Sequence, residues 1–426
     1  MAITAVLGAQ WGDEGKGKIV DYLATDSDMV IRFQGGDNAG HTVINEYGEF
    51  RLHLIPSGIF NPDTSCLIGT GVVVNPISLV NEMNSLAGAH VGLDRLMVAD
   101  RAHLVMPYHV ALDRAEESFR KSKIGTTMRG IGPAYADKVG RFGIQVFDSL
   151  DQDYFAERVR VNVERVNLIL SELYGAEALS ADDVLDQVWP ALKAVRPHVV
   201  DCYAEVRKAM GRGDRILLEG QLGAMRDLDW GAYPYVTSSN PIAGGASVGA
   251  GIPPALITRV VGVVKAYSTC VGEGPMPTEL NDEMGERLRR VGGEYGATTG
   301  RPRRCGWFDA VAVRYSSGLS GFTDIAVTKL DVMGGIERLK MATAYRVNTR
   351  DGEVIRDTPP PPALMGHVTP IYEEHEGWCS DISNVRSSAD LPAPAMAYLR
   401  RIEELCGARI GLVSVGPRRE QTFSAH

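Results

Sequence analysis

Six short apolar runs, each followed by a turn or charge and several separated by helical stretches, restrict this chain more than any other feature. They are "ITAVLG" near the start, "MVIRF" at 29–33, "SCLIGTGVVV" at 65–74, "RILLEG" at 215–220, "RVVGVVKAY" at 259–267 and "DIAVTKLDV" at 324–332. They are β-branched and nearly continuous rather than alternating, the pattern of strands covered on both faces. The plainest helical pattern is "DQDYFAERVRVNVERVNLILSELYG", opened by Asp151 and Asp153, with apolar residues recurring at three and four and a glycine at its end. The alternation predicts an α/β fold with a mostly parallel central sheet flanked by helices.

Three long connections, 121–143, 234–251 and 292–307, are glycine-rich and polar, and are read as structureless segments that carry function. Pro359–Pro362 reads as a surface spacer. No linker divides the chain, so residues 1–426 are expected to form one domain, and a 44% hydrophobic content suffices for its core. A net charge of -9 argues against nucleic-acid or anionic-membrane partners and favours small substrates. The six cysteines form no C-x-x-C pair and share no zinc-like spacing with histidine. With no signal-peptide pattern and no run long enough to span a membrane, a reduced, cytoplasmic protein is expected.

The first run leads into "QWGDEGKGK", Gln10 to Lys18. A strand, a glycine-rich turn and a helix form a phosphate cradle, because the free N–H groups at a helix start point at the anion. The match to G-x-x-x-x-G-K-[ST] is incomplete: Gln10 stands at the first glycine and Gly17 at the metal-binding hydroxyl. Asp13 offers the replacement. A carboxylate among phosphate-binding amides is repelled by the ligand unless a cation lies between them, so Asp13 reads as a magnesium ligand.

"TKLD", Thr328 to Asp331, closes the last apolar run. An aspartate there can accept from both N1–H and the N2 amine of guanine while a lysine stem covers the purine face, which points to GTP. In "QGGDNAGHT", Gln34 to Thr42, glycines permit close backbone approach and His41 could meet developing phosphate charge. Arg301, Arg303 and Arg304 follow Thr298, Thr299 and Gly300, a hydroxyl-and-guanidinium loop suited to a small carboxylate or phosphate. Arg129 and Arg141 are weaker candidates, and Arg418–Arg419 reads as surface.

On these residues a GTP-dependent enzyme joining small molecules competes with a GTPase switch and with a nucleotide-binding scaffold. The switch reading gains from "TKLD" and from the D-x-x-G match at Asp37–Gly40, but Asp137–Gly140 and Asp331–Gly334 match as well. Gly17 stands against it, since such switches hold magnesium through a hydroxyl at that place. Asp13 stands against the scaffold.

The blocks "QWGDEGKGKIVD", "GG-NAGHT", "HLIPSGI", "GTT-RGIGPAYADK", "DLDWGAYPYVTSSNP", "VVKAYST-VG-GP-PTEL", "EYGATTGRPRR-GWFDAVAVR", "TKLDV" and "SVGPRREQT", with a hyphen for a residue outside the resemblance, occur in this order along the chain. Together they resemble the adenylosuccinate synthetase family. The resemblance implies a single large α/β domain and a ligase reaction in which GTP, IMP and L-aspartate give GDP, phosphate and adenylosuccinate. It implies that Asp13 is both the base that removes the N1 proton and a ligand of Mg2+, with the Gly40 carbonyl as second ligand. It further implies that His41 and Lys16 act on the GTP phosphates.

By the same resemblance GTP is expected at Gly12, Asp13, Glu14, Gly15, Lys16, Gly17 and Lys18, at Gly40, His41 and Thr42, at Arg303, at Lys329, Leu330 and Asp331, and at Ser414, Val415 and Gly416. IMP is expected at Asp13 to Lys16, at Asn38, Ala39, Gly40 and His41, and at Thr127, Leu222, Thr237 and Arg301. Arg141 is expected to reach it from a second subunit, which implies a homodimer. The aspartate substrate is expected along Ala297, Thr298, Thr299, Gly300, Arg301, Pro302 and Arg303.

Two positions depart from the family pattern. "EGQLG" stands where E-G-A-Q-G is common, so Leu222 replaces the amide that contacts IMP and Gln221 lies one place early; Cys270 stands where arginine is usual. A one-residue shift turns a strand side chain to the other face. These departures keep open an alternative, a paralogue using another purine nucleotide or amino donor.

Overall fold

The computed structural model describes residues 2–38, 40–296, 300–350 and 352–425. Among these, ten strands form one sheet. Its order is Thr422–Ser424, Arg409–Ser414, Asp324–Thr328, Arg259–Lys265, Ala2–Gly8, Arg215–Gly223, Met29–Arg32, Ser65–Ile68, Leu96–Ala99 and Val199–Val200. Every neighbouring pair is parallel except Arg409–Ser414 with Thr422–Ser424, which is antiparallel at the edge. The continuous apolar runs therefore lie where both faces are covered: Ile3, Val6, Leu218, Val261, Val263, Ile325 and Val327 are fully buried.

The first strand occupies the middle, and the next in sequence, Met29–Arg32, pairs beyond Arg215–Gly223 rather than beside it. Chain direction across the sheet thus reverses around Ala2–Gly8. In open parallel sheets such a reversal leaves a crevice at the carboxyl ends of the strands, and ligands bind there. The phosphate-loop candidate, the segment after Arg32, "TKLD" and Val415–Gly416 all follow strands of this sheet at that end.

The predicted helix is observed as Gln152–Leu168, continued by a wider π-helical turn at Ile169–Leu173. Asp151 caps it by accepting from the Tyr154 N–H at 3.1 Å, and Phe155, Val159, Val163 and Val166 form its buried face. Two of the three segments read as structureless contain helices, Ile131–Gly140 and Ala243–Ala250. The last run stops being strand at Thr328, because Lys329 takes φ 59° and Leu330–Met333 form a 3-10 turn. Arg419 is not a free surface group: its Nε and Nη2 lie 2.7 Å from the two carboxylate oxygens of buried Asp21, tying the last strand region to the first helix.

Candidate active site

Between Gly8 and the helix Lys16–Ala24 the chain turns through three left-handed residues, Gly12 (φ 98°), Asp13 (φ 59°) and Gly15 (φ 92°). For a non-glycine residue this conformation costs on the order of 1 kcal/mol, so the surroundings must hold it. Buried Glu14 does so. Its Oε1 accepts from the N–H groups of Gly12 (2.8 Å) and Gln10 (3.1 Å), and Oε2 pairs with Lys16 Nζ at 2.5 Å. Both carboxylate oxygens of Glu14 are spent inside the loop. Gly17 is explained by contact: a Cβ there would lie 2.6 Å from the His41 Cβ, so no hydroxyl side chain fits.

His41 opens the strand His41–Asn45, and its buried Nδ1 is hydrogen-bonded to Glu219 Oε1. The other Glu219 contacts are the Ser57 N–H and hydroxyl, both at 2.8 Å. Burial lowers the His41 pKa, and although burial works to raise that of Glu219, the bond and charge of His41, with Arg32, hold it down. Glu219 is thus the ionised partner that fixes Nδ1. The remaining ring nitrogen, Nε2, is buried without a partner among the described residues. Buried polar atoms of this kind call for a ligand.

The same holds at "TKLD". Thr328 donates to the Glu14 carbonyl at 2.5 Å, locking this segment onto the phosphate loop. Lys329 donates to the Gly292 carbonyl, and Asp331 Oδ1 is buried with no partner among the described residues. Lys18, from the first helix, reaches Ser414 Oγ (2.5 Å) and the Gly416 carbonyl (2.6 Å).

Two cavities meet along a shared wall of Asp13, Gly40, Leu222 and Gly296. The first, 250 Å³, also has Asn38, Thr127, Thr237 and Arg301 in its lining. The second, 460 Å³, takes in Gly15 to Lys18, His41, Thr42, Lys329, Gly300, Arg303, Ser414 and Gly416. Arg303 connects Asp13 to a buried network: Nε is 3.0 Å from Asp13 Oδ2 and Nη1 is 2.7 Å from Glu294 Oε2, which Lys265 also holds at 2.7 Å. Burial works to lower the Arg303 pKa, but the two carboxylates raise it. Arg301 donates to the carbonyls of Gly125 (3.1 Å) and Thr126 (3.4 Å).

The sequence-derived residues distribute as follows. Leu330 and Val415 are buried beside the second cavity's lining residues, and Pro302 pairs with Tyr295 in an isolated bridge. Arg141 lines neither cavity; it is exposed at φ 68° after the helix Ile131–Gly140. Ala39, Ala297, Thr298 and Thr299 lie outside the described residues. Arg129 is 3.3 Å from Asp37. Sequence reasoning missed Glu219, Glu294, Lys265 and Arg226, whose roles exist only through distant partners.

Gln221 lines neither cavity. Its Oε1 accepts from Arg32 Nη2 (2.8 Å) and the Gly36 N–H (3.1 Å), and its Nε2 donates to Asn38 Oδ1 (2.7 Å). Leu222, at φ 59°, takes the cavity wall instead. The register break explains how: Val6 pairs Glu219 but Gly8 pairs Gly223, so the partner strand carries extra residues here.

For a magnesium ion the fit is that of a phosphate-assisted site. Asp13 and Gly40 offer one carboxylate and one carbonyl on the shared wall, and no cluster of three His, Cys, Asp or Glu side chains occurs among the described residues. Mg2+ is commonly held in this way, by one or two carboxylates together with substrate phosphates.

Comparison with known proteins agrees over the whole length. The family model for adenylosuccinate synthetase matches residues 5–423. The chain is 48% identical to the adenylosuccinate synthetase of Caldanaerobacter subterraneus subsp. tengcongensis, with 99% of each chain covered. It is similar to the fully ligated adenylosuccinate synthetase of Plasmodium falciparum, with a TM-score of 0.94, 35% identity and 100% of both chains covered. The cyanophage S-2L succinoaminodeoxyadenylate synthetase shares the fold, at a TM-score of 0.62 and 19% identity over 99% of this chain and 95% of that one. The chain belongs to the adenylosuccinate synthetase family.

Proposed function

We propose that this chain joins L-aspartate to C6 of IMP at the expense of GTP, with IMP in the 250 Å³ cavity and GTP in the 460 Å³ cavity. The observation that carries the reading is the place of Asp13, on the wall common to both. Oxygen at C6 of hypoxanthine leaves poorly, so it must first be phosphorylated. Asp13 takes the N1 proton, the electron pair moves to O6, and O6 attacks the γ-phosphorus as the bond to GDP breaks. The aspartate amine then adds at C6, loses a proton, and phosphate departs. No comparison supports a paralogue with another acceptor, or a switch.

Each residue set supports a step. His41 presents Nε2 to the GTP phosphates, held by Glu219, and Lys16 adds charge there. Asp331 reads guanine through its unpaired oxygen, with Lys329 covering the base. Arg301, Arg303 and the loop through 297–300 take the aspartate carboxylates, while Asn38, Thr127 and Thr237 take the IMP phosphate and ribose. Asp13 and the Gly40 carbonyl would hold Mg2+, which neutralises charge across the transferring phosphates when bound. Exposed Arg141 fits a contribution to the cavity of a second copy, in a homodimer.

We also read residues 1–426 as one domain, because strands from both ends of the chain share the sheet. No helix among the described residues is long and apolar enough to cross a membrane, and a cytoplasmic location agrees with this reading. An absorbance assay with GTP, magnesium, aspartate and a panel of purine monophosphates tests the function. Product is expected with IMP and only when all components are present. GTP turnover at full rate without IMP and aspartate would overturn it.

A further inference from the structure

Arg226 ends the 3-10 turn Ala224–Arg226 beyond the strand Arg215–Gly223 and lines the 250 Å³ cavity with only 9% of its surface exposed. Its guanidinium is spent on backbone. Nη1 donates to the carbonyls of Tyr235 (2.5 Å) and Glu273 (3.2 Å). Nη2 donates to the carbonyls of Val271 (2.7 Å) and Glu273 (3.3 Å) and touches Cys270 Sγ at 2.7 Å. The Arg226 carbonyl meanwhile accepts from the Thr237 N–H at 2.8 Å. One residue thus ties together two walls of the cavity, the segment ending at Thr237 and the turn carrying Val271, and both of those residues line it.

Its charge is also uncompensated. Among the described residues no carboxylate forms an ion pair with Arg226, whereas Arg304, which grips the same turn through the Gly274 carbonyl at 2.7 Å, is neutralised by Glu279. Of the four acids in the cavity lining, Glu117 accepts from the Gly125 N–H at 2.7 Å, Asp113 from the Gly130 N–H at 2.9 Å and Asp13 from Arg303 Nε at 3.0 Å, while Glu116 forms no ion pair with Arg226. A buried cation without a protein counter-ion is costly unless an anion completes the site. An acceptor that brings a phosphate into this cavity would do that.

Resting on the proposed reading of the cavity, we propose that Arg226 is the positioning residue for the acceptor nucleotide: it sets the Val271 and Thr237 walls and supplies the positive field that a nucleoside monophosphate enters. Cys270 is small enough to leave the guanidinium its place. An arginine grown from position 270 would reach the same volume from the opposite wall, since the Sγ already touches Nη2.

The test is steady-state kinetics with GTP, magnesium, aspartate and IMP on the wild type and on Arg226→Met, Arg226→Lys, Cys270→Arg and the double variant Arg226→Met/Cys270→Arg. Arg226→Met is expected to raise KM for IMP about tenfold, with kcat and the KM values for GTP and aspartate within about twofold. Arg226→Lys, which keeps the charge but not the multiple carbonyl bonds, should raise it about threefold and carries the test if the methionine variant does not fold. Cys270→Arg alone should raise KM for IMP by crowding two guanidinium groups, and the double variant should regain most of the loss. A KM for IMP within twofold in Arg226→Met, or a uniform loss toward all three substrates that the double variant does not relieve, would overturn the proposal. A wild type without IMP-dependent turnover would instead overturn the reading beneath it.

Discussion

The guanidinium of Arg303 bridges two acids, with Nε 3.0 Å from Asp13 Oδ2 and Nη1 2.7 Å from Glu294 Oε2. Through this bridge the acid on the shared cavity wall is held by a buried network rather than by its own strained turn. Lys265 at 2.7 Å and the Tyr267 hydroxyl complete the surroundings of Glu294, which has no exposed surface. Asp13 is therefore oriented from behind.

Glu294 sets the first prediction. Burial works to raise its pKa, but Lys265, Lys329 and Arg303 prevail and hold it at about 2 against an ordinary 4.5. A depressed carboxylate stabilises the fold above its unfolded pKa, and that contribution is lost as pH falls from 4.5 towards 2. Glu294→Gln should cost about 3 kcal/mol at pH 7 by urea unfolding, because it strands buried cations, and should flatten that acid limb. Its KM for aspartate should rise as Arg303 loses its anchor.

Lys18 predicts how nucleotide binding depends on pH. Burial lowers its pKa to about 7, against partial opposition from Asp331 and Glu420. Being depressed, this lysine releases its proton as pH rises through 7, and its attraction for an anionic nucleotide goes with it. KM for GTP should rise about tenfold between roughly pH 6.5 and 8.5, and Lys18→Met should remove most of that slope. In the free protein the same shift makes the Lys18 contribution to stability grow with pH between 7 and 10.5.

In the proposed reading, Asp331 carries the choice of base. Asparagine there replaces one acceptor by a donor, which suits xanthine and opposes the guanine N1–H and amine. The kcat/KM for GTP should fall about a hundredfold or more in Asp331→Asn, while that for XTP rises. Equal losses for both nucleotides would point to a structural role instead.

Leu222 faces both cavities without a hydrogen-bond donor. In the proposed reading, Leu222→Gln places an amide at the wall where charge develops on O6, and its left-handed backbone is no worse for glutamine than for leucine. Turnover of IMP should increase about tenfold, since a donor to a developing oxyanion is often worth that much or more. An unchanged or lower kcat would mean that this wall needs no amide donor, since that of Gln221 is already committed to Arg32, Gly36 and Asn38 and cannot supply one.

The strands were legible because burial on both faces demands unbroken β-branched runs, and the phosphate loop because its glycines and helix start have a physical reason to be adjacent. The helices Ile131–Gly140 and Ala243–Ala250 were not: glycine-rich sequences such as "AGGASVGA" lack an amphipathic stripe and depend on packing for their form. Gly17 was noticed as a missing hydroxyl, but its cause, the His41 Cβ pressed against it, is a contact across the fold. Glu219, Arg226 and Glu294 carry no local signal, since each acquires meaning from a partner far along the chain: His41 for Glu219, Cys270 for Arg226, Lys265 for Glu294. The bridge from Arg419 to Asp21 was hidden in the same way.

The most direct measurement of the central claim is turnover of Asp13→Asn with GTP, magnesium, aspartate and IMP, alongside thermal shifts that report binding of each nucleotide. The account predicts that both nucleotides still raise the melting temperature while kcat falls about a thousandfold or more. Condensation at the wild-type rate by a variant that cannot take the N1 proton would contradict it.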